Sequence, residues 1–129
     1  MKLATAIFAS ALALAALATP SAVLAHAKVV ASSPAQGAVV KGPRVVSLTF
    51  SDAMVPAGAS VAIVMTAMPG MANHGDMPIR NFTAAWSDGN RKVTLTLRQP
   101  LRTGTYDLRW QAAGSDGHRM SGKVTFDVK

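Results

Sequence analysis

What most restricts the fold of this chain is a period-two alternation of apolar and polar side chains that keeps returning between residues 45 and 128. Val46, Leu48 and Phe50 alternate with Val45, Ser47 and Thr49, and Val93, Leu95 and Leu97 alternate with Lys92, Thr94, Thr96 and Arg98. Tyr106, Leu108 and Trp110 interleave with Asp107 and Arg109, and Val124, Phe126 and Val128 interleave with Lys123, Thr125 and Asp127. Successive side chains of a strand point to opposite faces, so each segment predicts a strand with one buried face. Two further strands are expected, from the unbroken apolar run at 60–65 and from the weaker alternation at 81–86 before the turn residues Ser87-Asp88-Gly89-Asn90. With an edge strand near residues 26–31 the count reaches about seven, and no stretch supports a helix of two or more turns, so the fold class is all-β, a small sandwich or barrel. Trp86 and Trp110 fall at inward positions and are expected in the core.

Before this pattern begins, Lys2 is followed by an apolar run from Leu3 to Leu17, then Pro20, then Val23-Leu24-Ala25. A positive start, a short apolar stretch and small residues before a cut are the marks of a secretory signal peptide, and the run falls short of the roughly 20 residues a membrane span needs. Residues 1–25 are therefore read as a leader and 26–129 as one domain, in the periplasm. The chain has no cysteine, so an exported domain of this size must be held by packing and strand pairing, and thiolate is excluded as ligand or nucleophile. Thirteen Lys and Arg stand against six acidic residues, all Asp, for a net charge of +7. The basic residues are scattered, with only Arg91-Lys92 adjacent, and export argues against a nucleic-acid partner; the expectation is a solvated basic surface with modest attraction to anionic membranes or acidic partners.

Three constellations carry metal chemistry. Cleavage after Ala25 makes His26 the first residue, whose α-amine and imidazole Nδ1 can close a six-membered chelate ring. The amine has an ordinary pKa of roughly 8 and yields its proton readily to a metal, and two nitrogens in a plane suit Cu(II). The second constellation is Gly114-Ser115-Asp116-Gly117-His118, between two expected strands. If that loop is locally extended, Asp116 and His118 project to the same side and offer a carboxylate and an imidazole to one centre; a plain turn is the competing reading. The third is Met65, Met68, Met71, His74 and Met77, a donor at every third residue. A core or helical stripe would explain methionines at this spacing, but Pro69, Gly70, Gly75 and Pro78 disfavour a helix. An extended or polyproline-like loop would instead align them on one face, and thioethers select Cu(I) over hard cations. Asp52 and Met54 follow a strand and are explained equally by a turn or by proximity to a site. No glycine-rich phosphate loop and no nucleophile elbow is present.

On these residues the chain resembles the CopC family of periplasmic copper-resistance proteins. The opening His26-Ala27-Lys28 with Ser33-Pro34-Ala35-Gln36-Gly37, the methionine segment 65–77, and Asp116-Gly117-His118 before Ser121-Gly122 carry the likeness. The resemblance implies a Greek-key β-sandwich of Ig-like or cupredoxin-like kind with copper sites at its two ends. It further implies that His26, Asp116 and His118 bind Cu(II), while Met65, Met68, Met71, Met77 and His74 bind Cu(I). The implied role is a non-catalytic carrier or scavenger that exchanges copper with a separate inner-membrane transporter or another periplasmic copper protein. The enzyme alternative is a copper monooxygenase acting on polysaccharide, which also uses an N-terminal histidine chelate; Asp116 counts against it by filling a coordination position.

Overall fold

A computed structural model of the chain describes residues 27–71 and 75–129. The leader, His26 and His74 lie outside the described residues. Strands form in the order β1 (Val29–Ser33), β2 (Val39–Val40), β3 (Val45–Phe50), β4 (Ser60–Ala67), β5 (Met77–Ile79), β6 (Phe82–Ser87), β7 (Lys92–Leu97), β8 (Gly104–Ala113) and β9 (Arg119–Val128). They build two sheets, one ordered β1-β3-β7-β6 and the other β2-β9-β8-β4-β5. Each sheet has its own edges, so the fold is a sandwich and not a barrel. Every pairing is antiparallel except β2 with β9. The chain crosses to the second sheet for the short β2 and back for β3, then changes sheet between β3 and β4, between β5 and β6, and between β7 and β8, which is the Greek-key wiring of immunoglobulin-like domains.

The four alternating segments of the sequence are β3, β7, β8 and β9, and their apolar members meet between the sheets. Val46, Leu48, Phe50, Val93, Leu95 and Leu97 from one sheet face Ile63, Tyr106, Leu108, Trp110, Val124, Phe126 and Val128 from the other, all buried. Phe50 meets Trp110 edge to face at 4.9 Å and lies 6.1 Å from Trp86, while Tyr106 stacks on Phe126 at 5.7 Å. Burying each such side chain contributes about 1.5–3 kcal/mol, which serves where no disulfide can. Tyr106, near the start of β8, donates its hydroxyl to the Arg102 carbonyl at 2.7 Å. That contact ties the β7–β8 crossover to the sheet, as the tyrosine corner does in this class of fold.

The structure differs from the sequence reading at the short strands. β2 and β5 have two and three residues, too few to show an alternation. β4 runs two residues past Met65, so part of the methionine segment expected as a loop is strand. Among the described residues the only helical turn is Pro56–Gly58. The loops collect at two ends. One holds residues 27–28, 51–59, 88–91 and 114–118; the other holds 34–38, 41–44, 68–71 and 98–103.

Candidate metal centres

At the first end, the β8–β9 connection is not extended. It is a tight loop in which the Gly114 N–H donates to the His118 carbonyl at 3.1 Å and the Gly117 N–H to the Gly114 carbonyl at 3.0 Å. Asp116 and His118 do come together, by a different route from the one the alternation rule suggested. Oδ1 of Asp116 accepts the His118 backbone N–H at 3.0 Å, and Oδ2 lies 2.8 Å from the ring Nδ1. An aspartate accepting the amide two residues on is the side chain's own turn-forming habit. Here the second oxygen also fixes the plane of the imidazole. The carboxylate and the imidazole are thereby held 2.8 Å apart, an oxygen and a nitrogen donor side by side. The His118 backbone N–H, followed by its ring, holds the Asp116 carboxyl below the usual carboxylate range, so it is anionic at neutral pH.

This pair opens on a cavity of about 370 Å³ whose walls include Ala27, Asp52, Arg91 and Met120. Ala27 is the neighbour of His26, and Asp52 is the post-strand residue whose role the sequence left open. Lys28 reaches this end because its N–H bonds Ser51 Oγ at 3.0 Å and its carbonyl accepts the Ser51 N–H at 2.8 Å. Met54 is buried and bridges to Gly114, supporting the loop from below. Among the described residues, no three His, Cys, Asp or Glu side chains are close enough to hold a metal on their own. Two donors, Asp116 and His118, are in place.

At the other end, Met65, Met68 and Met77 line one cavity of about 270 Å³ with Ile79, Arg102 and Tyr106. The threefold spacing does not bring them together as a polyproline-like face. Met65 is buried at the end of β4, where the register with β8 shifts between Met65 and Ala67. Residues 68–71 then make a turn closed by the Met71 N–H to the Met68 carbonyl at 3.0 Å. Pro69 fixes its first corner and Gly70, at φ 78°, its second, the residue pair a type II turn requires. Met77 returns on β5 directly opposite Met65. Met71 sits exposed across the turn from Met68 and is not part of the cavity wall.

The return strand has an anchor that the sequence did not reveal. β5 is a three-residue edge strand with Pro78 at its centre, so its ladder to β4 is short. Arg109 of β8 bonds Asp76 at 3.0 Å, just before β5. It also grips Asp107 at 3.1 and 3.3 Å. Asp107 is buried and accepts in addition the Thr125 hydroxyl at 2.7 Å. The Asp76 carboxylate, then that of Asp107, hold the Arg109 guanidinium still more firmly protonated than usual. Nothing in the spacing of Asp76 and Arg109, 33 residues apart, announces this strap.

Residues 29–129 match the CopC domain family. The chain is 40% identical over 105 residues to Copper resistance protein C of Pseudomonas syringae pv. tomato, covering 81% of this chain and 82% of that one. It is 38% identical over 117 residues to Copper resistance protein C of Xanthomonas campestris pv. juglandis, covering 89% and 88%. In three dimensions it is similar to the crystal structure of PcoC, a methionine-rich copper resistance protein from Escherichia coli, with a TM-score of 0.72, 30% identity, and coverage of 81% and 100%. On the family match and the extent of these likenesses, the chain belongs to the CopC family.

Proposed function

We propose that the chain is an exported, periplasmic copper-binding protein that carries or sequesters copper without turning over a substrate. The observation that carries this reading is the Asp116–His118 pair, locked at 2.8 Å on the cavity that Ala27 also lines. Once the leader 1–25 is removed, the amine and imidazole of His26 add two nitrogens beside that pair. Together with the imidazole of His118 and the carboxylate of Asp116, they form a nitrogen and oxygen set suited to Cu(II). Asp116 is already ionised, so binding there needs no proton expelled from it.

Cu(I) is assigned to the other end. Met65, Met68 and Met77 offer thioethers to one cavity, and Met71 and His74 complete the candidate set from the connecting segment. Met65 is fixed by burial while Met77 is 44% exposed, which suits a site that must also release its ion. The relatives named copper resistance proteins support copper as the cargo. A separate inner-membrane transporter or another periplasmic copper protein is the partner for exchange.

Native mass spectrometry of the protein isolated from the periplasm tests the reading. The expected mass begins at His26 and includes copper. A mass retaining residues before His26, or a protein that takes up neither copper ion, would overturn it. Release of oxidised sugars from a polysaccharide by the reduced, copper-loaded protein would overturn the non-catalytic role.

A further inference from the structure

The two ends of the sandwich differ in charge. The first end carries Lys28, Arg91, Lys92 and Arg119 against Asp52, Asp88 and Asp116, which is close to balance. The methionine end carries Lys41, Arg44, Arg80, Arg98, Arg102 and Lys129, every one exposed, against Asp76 and Asp127. Asp76 is paired with Arg109 and Asp127 accepts the Thr105 hydroxyl at 2.7 Å.

The loops bearing these cations are stitched together at this end. Arg44 donates from Nη2 to the Arg98 carbonyl at 2.8 Å and accepts the Leu97 N–H at 2.7 Å. The Leu101 N–H reaches the Pro43 carbonyl, the Lys129 N–H the Val40 carbonyl, and the Arg98 N–H the Asn81 carbonyl beside Arg80. Apolar side chains are interleaved with them. Val39 (55% exposed), Val45 (50%), Met71 (56%) and Met77 (44%) are four of the six exposed large hydrophobics among the described residues, and all four are at this end.

Cations mixed with exposed apolar side chains, spread over an entire end instead of lining a groove, fit a broad anionic sheet. Its headgroups can neutralise all the charges at once while the apolar tips enter the headgroup layer. We infer that the methionine end docks on an anionic phospholipid membrane, turning the methionine cavity toward the bilayer and the Asp116–His118 end away from it. This inference is independent of the copper reading, since docking is measured on metal-free protein.

The test is cosedimentation of the chain from His26 onward, which contains every strand of the sandwich, with vesicles. One set is equal parts phosphatidylcholine and phosphatidylglycerol, the other phosphatidylcholine alone. At an ionic strength of about 0.01 M, where the Debye length is about 30 Å, binding is expected to the anionic vesicles and not to the neutral ones. It should weaken steeply near 0.15 M, where that length is about 8 Å. Lys41→Glu with Arg102→Glu should lower partitioning by about tenfold or more. Lys28→Glu with Arg119→Glu changes the net charge equally and should lower it by less than about twofold. Lys41→Gln with Arg102→Gln gives a milder pair with the same expected direction, should the reversal disturb the fold. Absence of anionic-vesicle binding, equal binding to both vesicle types, or equal loss in the two Glu pairs would each overturn the inference. Retention on polyglutamate without vesicle binding would assign the surface to an acidic polypeptide and overturn the membrane as well.

Discussion

Asp116 uses its two oxygens for two purposes, one to form the loop and one to orient the ring of His118. Replacing it by Ala removes both contacts and a candidate ligand, so Cu(II) affinity is expected to fall by about 10–100-fold, with Cu(I) affinity unchanged; competition titrations with the two ions check this. Asp and His two residues apart were legible in the sequence as a pair. Their geometry was not, because it depends on a side chain bonding its own backbone. Tyr106 offers a second residue-scale expectation. Burial raises its phenol pKa above the ordinary 10.0. A group whose folded pKa is raised stabilises the fold fully below its unfolded pKa and loses that contribution as pH rises through the folded value. Wild-type stability should therefore decline from about pH 10 upward, more steeply than that of Tyr106→Phe, in denaturant titrations across the alkaline range. At neutral pH the same substitution should cost about 1–3 kcal/mol, since the Arg102 carbonyl loses its donor.

At the scale of elements, the methionine spacing and the fold bring side chains together by different routes. A run of every-third donors suggested one face of an extended loop, whereas a strand end, a type II turn and a returning edge strand gather three of the four methionines and leave Met71 outside. Met68→Leu is accordingly expected to weaken Cu(I) binding by at least about tenfold, the loss of one thioether ligand from a soft-donor set. Met71→Leu should have a clearly smaller effect, and a Cu(I) competition assay separates the two. The strap from Asp76 to Arg109 holds β5 where the ladder is thin. Asp76→Ala leaves the Asp107–Arg109 grip intact, so global stability should move by no more than about 1 kcal/mol, as for an exposed pair. The amides of Met77 and Ile79 should nevertheless exchange several-fold faster by hydrogen exchange, as a locally loosened edge strand would. Asp76→Glu should restore their protection. Long-range pairs of this kind leave no trace in local spacing, which is why the sequence did not disclose them.

Over the whole molecule, the alternation in β3, β7, β8 and β9 was enough to specify two half-buried sheets and most of the core, because those strands are long enough for the pattern to show. The two-residue β2 and three-residue β5 were invisible for the opposite reason. That the histidine loop and the methionine turn lie at opposite ends of one packed core followed from the family resemblance and not from the alternation; the strand register establishes it. Separation by a rigid sandwich means that loss of one site should leave the other intact. The most direct measurement is a competition titration of Cu(II) against the chain beginning at His26 and against the same chain with one residue added before it. If the terminal amine closes a chelate with His26 beside Asp116 and His118, the added residue should lower affinity by about 100-fold or more, equivalent to about 2.8 kcal/mol. Equal Cu(II) affinity in the two chains would contradict the copper site proposed at this end.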